Sequence, residues 1–90
     1  MRKIRTTEQW QKLDAARHLH PFTDFGDYQK NPGRIIDRAE HIYIYDTDGN
    51  QMLDAMSGLW CCSFGYSQPT IAEAVSEQFK QLPYYNNFFQ

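Results

Sequence analysis

Apolar residues recur with a helical period near both ends of the chain and alternate with polar residues in the middle. Near the amino end, Thr6 and Gln9 form a capping-box pattern. Residues at helical spacing then follow at Trp10, Leu13, either Ala16 or Arg17, and Leu19. Because proline disfavours helical geometry in the residue before it, Pro21 predicts that this helix ends near His20.

In the middle of the chain the period changes to one typical of strands. The stretches 34–40, 41–46 and 51–55 carry β-branched and aromatic residues with polar residues between them. Asp48-Gly49, between the second and third stretch, is a strong hairpin signal because glycine tolerates the positive φ of a tight turn. The pattern predicts a three-stranded antiparallel meander.

A second helix is predicted over residues 67–82. Ser67 can cap it, Pro69 suits its first turn and Pro83 ends it. Its apolar stripe consists of Ile71, Ala74, Val75, Gln78, Phe79 and Leu82.

We expect these elements to form a single α+β segment. A helical arm with an irregular aromatic loop (1–33) precedes the meander with its closing turn (34–66), the second helix (67–82) and an aromatic tail (83–90). The rings of the tail belong to Tyr84, Tyr85, Phe88 and Phe89. Exposed apolar patches of this kind mark interfaces, so we expect the tail to continue into a further domain.

The turn that closes the meander has the most unusual composition. Gly58 and Gly65 interrupt the strand pattern and give the backbone freedom. Leu59, Trp60 and Phe64 are too apolar for a surface loop. We interpret the stretch as a buried or pocket-lining turn in which Trp60 forms a wall, although a Trp60 that only fills the core is an open alternative.

Composition and charge exclude several classes of partner. The 90 residues carry a net charge of −2 with scattered basic side chains, which is not the footprint of a nucleic-acid-binding protein. No apolar run approaches membrane-spanning length, and no secretion signal follows the basic start. The two cysteines, Cys61 and Cys62, are adjacent and make no disulfide framework. We therefore expect a cytoplasmic protein with no nucleic-acid or membrane partner.

Two groups of potential metal ligands receive other interpretations. His18 and His20 are two residues apart, which on a helix directs them to different faces, and no partner ligand is evident nearby. Asp46, Asp48 and Asn50 have the spacing of a calcium loop, but the glycine and the closing glutamate of such a loop are missing. We predict a solvated helix end, a hairpin of turn formers and no metal site.

Five segments follow one another in a characteristic order. They are Phe22-Thr23-Asp24, the hairpin from His41 to Ala55 with its Asp48-Gly49 turn, Ser57-Gly58-Leu59-Trp60, Leu82-Pro83-Tyr84-Tyr85, and Phe88-Phe89. Together they resemble the amino-terminal part of a class III aminotransferase, the family of the omega-transaminases. The resemblance extends over residues 21–90, nearly the whole chain.

The resemblance implies an enzyme of fold type I that uses pyridoxal 5'-phosphate and works as a homodimer with its sites at the subunit interface. Such enzymes transfer an amino group between an amine or omega-amino acid and a keto acid such as pyruvate. The implied substrate-binding residues are Phe22, Leu59, Trp60, Phe88 and Phe89, of which the last two reach the neighbouring subunit's site. A rigid aromatic wall of this kind would select substrates by size.

The catalytic chemistry itself is not expected in this chain. The resemblance implies a lysine that holds the cofactor covalently and a phosphate cradle, both beyond the matched positions. The lysines present are Lys3, Lys12, Lys30 and Lys80, all at positions predicted to be solvated. We therefore assign no catalytic or cofactor-binding residue, and we expect the isolated chain to be inactive.

Two other interpretations remain open. In the first, the chain is a free-standing interaction module that associates with itself through the tail. In the second, it is a structural α+β domain whose aromatic side chains, including Trp60, are all buried.

Overall fold

The first helix begins where its capping box predicts. In the computed structural model, which describes residues 4–88, helix α1 spans Thr7–Arg17. The backbone N–H of Gln9 donates to the Thr6 hydroxyl (3.3 Å), and the backbone N–H of Thr6 donates to the Gln9 side chain (3.1 Å). The helix ends earlier than expected, because His18 is already extended.

A short helix, α2 (Phe25–Lys30), lies where an irregular loop was expected. The carboxylate of Asp24 caps it by accepting the backbone N–H of Asp27 (3.1 Å). The expectation was wrong because a good N-cap can start even a six-residue helix when its far end is held. Tyr28 holds that end through its hydroxyl, which donates to Asp14 of α1.

The predicted meander is confirmed, with shorter strands. Strands β1 (Ile36–Glu40), β2 (Tyr43–Asp46) and β3 (Gln51–Leu53) form an antiparallel sheet in the order β1-β2-β3. The α+β fold class is therefore correct.

The register gives the two faces of the sheet different characters. Ala39 pairs with Ile44, which pairs with Met52, and this row is half-buried. On the opposite face the Arg38 guanidinium lies 3.5 Å from the centroid of the Tyr45 ring, a cation–π contact.

Asp46 organises the hairpin between β2 and β3. Its carboxylate accepts the backbone N–H groups of Asp48 (3.0 Å) and Asn50 (2.8 Å), and the Asn50 side-chain amide (2.9 Å). These bonds, with the Arg34 guanidinium 3.4 Å away, hold the pKa of Asp46 below its ordinary value despite burial. Asp46 is thus a turn former, as the sequence predicted, whereas the Asp48 carboxylate accepts the hydroxyl of Thr7 in α1.

Helix α4 spans Pro69–Gln81, within the predicted range. Its N-cap is Gln68 and not Ser67, because Ser67 takes a positive φ (56°) and its hydroxyl donates to the carbonyl of Ala39 (2.6 Å). The cap residue was thus predicted one position too early.

The described residues do not enclose a core. No apolar side chain among residues 4–88 is buried. The accessible surface is 8363 Å², whereas a compact protein of this mass exposes about 5,500 Å². The apolar stripe of α4 faces outward, with Ile71, Val75, Phe79 and Leu82 all exposed. None of the described helices has the length and apolar character needed to cross a bilayer.

Candidate functional site

The turn after β3 has a left-handed backbone. The short helical element α3 (Ser57–Trp60) has φ values of 49°, 59°, 60° and 71° along its four residues. Only glycine visits this region freely, and each L-residue in a left-handed helix costs about 1–2 kcal/mol. Ser57, Leu59 and Trp60 therefore carry backbone strain that contacts with the rest of the chain must offset.

The half-buried carboxylate of Asp54 fixes the conformation of this turn. One oxygen of Asp54 accepts the backbone N–H groups of Met56 (3.0 Å) and Ser57 (3.2 Å), and its other oxygen accepts the Tyr66 hydroxyl. The carbonyl of Ser57 in turn accepts the N–H groups of Cys61 and Cys62 (both 2.9 Å). Asp54 thus links the start of the turn to Tyr66, which comes later in the chain.

The electrostatics of this pair follow from the same contacts. The Tyr66 hydroxyl, helped by the backbone N–H groups, lowers the pKa of Asp54 although partial burial opposes it. The Asp54 carboxylate and, less strongly, the neighbouring Cys62 raise the pKa of Tyr66. A charged carboxylate and a neutral phenol are therefore the stable states of the pair around neutral pH.

The turn presents the predicted site residues outward. Leu59 is 72% exposed and Trp60 is 90% exposed. Residues 4–88 therefore do not bury Trp60 in a core of their own, and within them the interpretation of a structural domain that buries all its aromatic side chains is wrong. The turn is also not buried within the described residues, but no apolar side chain of residues 4–88 is. The pocket-lining interpretation therefore stays a prediction.

Phe22 shares the unusual backbone of Leu59 and Trp60. Its φ is 52°, and its ring is fully exposed in the turn between α1 and α2. Positive φ is uncommon for bulky residues, yet three of the predicted substrate-binding residues adopt it.

The predicted tail residues are only partly described. Phe88 is exposed, and its backbone N–H donates to the side chain of Asn86 (3.4 Å). Phe89 lies outside the described residues. No ring contact joins Phe22, Trp60 or Phe88 within residues 4–88, so this segment does not by itself gather the predicted residues into one cleft.

A shallow cavity of about 310 Å³ lies beside the turn, between the loop 61–68 and the start of α4. Its lining includes Cys62, Phe64, Tyr66, Ile71 and Ala72. The lining includes the exposed ring of Phe64 but neither Leu59 nor Trp60, so this cavity is not formed by the predicted substrate-binding residues.

Two residues important to the site were missed by sequence reasoning. Asp54 and Tyr66 hold the turn, but neither carried an assigned role. Asp54 stands three residues before Ser57, the spacing of a side-chain-to-backbone cap, and this signal could have identified it. Tyr66 could not be found in this way, because the partners are twelve residues apart.

Comparison with known proteins identifies the family. Residues 26–90 match the model of class III aminotransferases. A putrescine–pyruvate aminotransferase of Pseudomonas aeruginosa is 46% identical over 84 residues, which are 93% of this chain and 18% of that protein. The chain belongs to the class III aminotransferase family.

Solved structures agree with this assignment. An (S)-enantioselective omega-transaminase from Thermomicrobium roseum superposes on 97% of this chain with a TM-score of 0.88 and 28% identity, over 19% of its own length. A thermostable omega transaminase in which a tryptophan is replaced by glycine, engineered for asymmetric synthesis of enantiopure bulky amines, gives a TM-score of 0.81 with 34% identity, over 88% of this chain and 18% of its own. The chain thus spans less than a fifth of the length of these relatives, and nothing among them supports a free-standing interaction module.

Class III aminotransferases generally depend on pyridoxal 5'-phosphate, but the described lysines do not fit the role of holding this cofactor covalently. Lys12 pairs with Glu8 (2.8 Å) and Lys80 with Glu77 (2.6 Å), all on solvent-exposed helix faces. Lys30 is exposed in the last turn of α2. The lysine chemistry of the family has no counterpart within residues 4–88, while Lys3 lies outside them.

Proposed function

We propose that this segment forms one wall of the substrate cleft of an aminotransferase acting on an amine or omega-amino acid and a keto acid such as pyruvate. The observation that carries the proposal is the left-handed backbone at Phe22, Leu59 and Trp60, combined with the exposure of their side chains. Strained backbone persists where surrounding bonds determine it, and it clusters at ligand sites. Here Asp54 supplies those bonds for the turn.

The similar proteins support this choice of substrates. One is named for transfer between putrescine and pyruvate. Another was engineered for bulky amines by replacing a tryptophan with glycine. We infer that Trp60 limits the size of the amine in the same manner, because its ring is the largest and most exposed on the turn.

The remaining contributions of the segment are further proposals. Phe88 and Phe89 would extend toward the site of the partner subunit of a homodimer, which would also cover the exposed stripe of α4. The cofactor, pyridoxal 5'-phosphate, would supply the electron sink for amino transfer. Because no described lysine fits that cofactor, the 90-residue chain alone is expected to be inactive, and the enzyme is expected to act in the cytoplasm.

Replacing Trp60 tests the proposal in the full-length enzyme that carries this segment. In Trp60→Ala, kcat/KM for an arylalkyl amine should rise relative to that for a small alkyl amine by about 10-fold or more, since one pocket contact is worth 10–200-fold in discrimination. Trp60→Phe should give an intermediate ratio. Trp10→Ala, at the other tryptophan of the chain, removes an equally large ring from α1 and is the matched control that should leave the ratio unchanged. An unchanged ratio in Trp60→Ala would refute the role of Trp60.

A further inference from the structure

Three side chains with metal-binding chemistry meet where α1 ends. One Asp14 oxygen lies 2.7 Å from His20 Nε2 and the other lies 3.4 Å from His18 Nδ1. The potential ligand atoms of Asp14, His18 and His20 all lie within 4.8 Å of one another. The sequence prediction that no carboxylate stands near these histidines was therefore wrong.

The early end of α1 explains this arrangement. On a continuous helix, His18 and His20 would point to different faces. Because His18 is extended, the chain turns back, and the two imidazole rings stack with their centroids 4.2 Å apart. Both rings then present a nitrogen to the same carboxylate, one turn earlier on the helix.

We propose that Asp14, His18 and His20 bind a divalent transition-metal ion, with Zn²⁺ as the ion that their chemistry suits best. Two imidazole nitrogens and a carboxylate oxygen are a common zinc donor set. In a tetrahedral site with bonds of about 2.0–2.1 Å, neighbouring ligand atoms are about 3.4 Å apart. The separation of Asp14 Oδ1 from His18 Nδ1 already has this value. His20 Nε2 lies against the other oxygen, Oδ2, so its ring must move off that oxygen before the three ligands can face one ion.

The surroundings of the cluster favour an ordered site with one open position. The Tyr28 hydroxyl donates to Asp14 and so orients the carboxylate, as partners of metal ligands commonly do. The side chains of Asp14 and His20 are 18% and 28% exposed, whereas His18 is 59% exposed. Three protein ligands therefore leave the fourth position to water or to another ligand on the His18 side.

Calorimetric titration of the full chain with Zn²⁺, and visible absorption with Co²⁺ in place of Zn²⁺, test the proposal. We expect one ion per chain, release of protons on binding, and the strong visible bands of tetrahedral Co²⁺. Asp14→Asn and His20→Gln should each weaken Zn²⁺ binding by more than 10-fold, and Tyr28→Phe by about 10-fold. His41→Gln, at the remaining histidine of the chain, is the matched control and should bind like the unaltered protein.

Three outcomes would overturn the proposal. The first is the absence of tetrahedral Co²⁺ bands, which would leave the cluster as a hydrogen-bonded helix end. The second is equal binding by the unaltered protein and His20→Gln. The third is an equal loss in His41→Gln. Helical circular dichroism of every variant separates a lost ligand from a lost helix, since His20 lies outside α1 and its replacement should leave the helix intact. None of these results depends on the aminotransferase proposal.

Discussion

Among single residues, the bulky side chains with positive φ tell the most about this segment. Phe22, Leu59 and Trp60 were singled out from the sequence by family resemblance, and the two of the turn also by their apolar character beside glycine. Their backbone conformation was not predictable from either. For Leu59 and Trp60 it depends on Asp54 and Tyr66, whose side chains meet only after the chain has turned.

The ionisation of the Asp54–Tyr66 pair should define a pH window for the turn. The lowered pKa of Asp54 stabilises the turn above the ordinary aspartate value of about 3.9, and this contribution is lost as the pH falls through the lowered pKa. The raised pKa of Tyr66 stabilises it below about pH 10, and that contribution is lost as the pH rises toward the raised value. Fluorescence of Trp60 in a Trp10→Phe background should report both transitions.

The variant Tyr66→Phe separates this pair from the other titrating groups. It removes the donor that contributes most to the lowered pKa of Asp54, so the acid transition should move to higher pH and the alkaline transition should disappear. Tyr84→Phe, in the exposed tail, should change neither transition. Identical pH profiles for Tyr66→Phe and the unaltered protein would contradict the assigned role of the pair.

At the scale of the secondary-structure elements, the link between the turn and the sheet is the feature most sensitive to substitution. The backbone N–H of Tyr66 donates to the carbonyl of His41 (2.7 Å), and the N–H of His41 donates back to Tyr66 (3.2 Å). Gly65 precedes this bridge with φ of 80°, and a Cβ atom there would lie 2.9 Å from the His41 carbonyl oxygen. The bridge therefore requires glycine on two grounds, conformation and space.

Replacing Gly65 with alanine should destabilise the protein more than the same change at Gly49. Gly49 also has a positive φ (88°), but a Cβ atom there meets nothing within 4 Å. Gly49→Ala should therefore cost only backbone strain, about 1–2 kcal/mol. Gly65→Ala adds a clash with backbone, typically worth a further 1–3 kcal/mol. Urea unfolding of the full-length protein measures the free energy of unfolding of both variants. An equal decrease in the two would show that the bridge accommodates the added Cβ atom, which would contradict the prediction.

The elements themselves were largely predictable because their signals are local. The capping box at Thr6, the Asp48-Gly49 turn and the alternation of the strands all act within a few residues. The predictions were wrong where a contact with a residue distant in sequence decides the local structure. Helix α2 needs Asp14 to hold Tyr28, and Ser67 leaves its capping position to bond Ala39 across 28 residues.

At the scale of the whole molecule, the segment is extended and exposes many large apolar side chains. Its radius of gyration is 16.8 Å, whereas a compact chain of this length has about 12 Å. The exposed side chains include the apolar face of α4, Leu59, Trp60 and Phe88. The segment spans less than a fifth of the length of its relatives.

The 90-residue chain should therefore self-associate in solution. Size exclusion with light scattering is expected to show species larger than a monomer that grow with concentration. Phe88→Ala with Phe89→Ala should reduce this association, and Lys30→Ala, a change at an exposed polar position, should not. A monodisperse monomer that unfolds cooperatively would contradict the prediction.

The sequence alone determined the order and type of the main elements and the family, because these depend on periodicity, turn chemistry and motif order along the chain. Only the tertiary structure decided the hand of the turn, the cap of α4 and the meeting of Asp14 with two histidines. Each of these depends on side chains or backbone groups brought together by a change in chain direction. A linear pattern records which groups are present, but it does not record which of them face one another after the chain has turned.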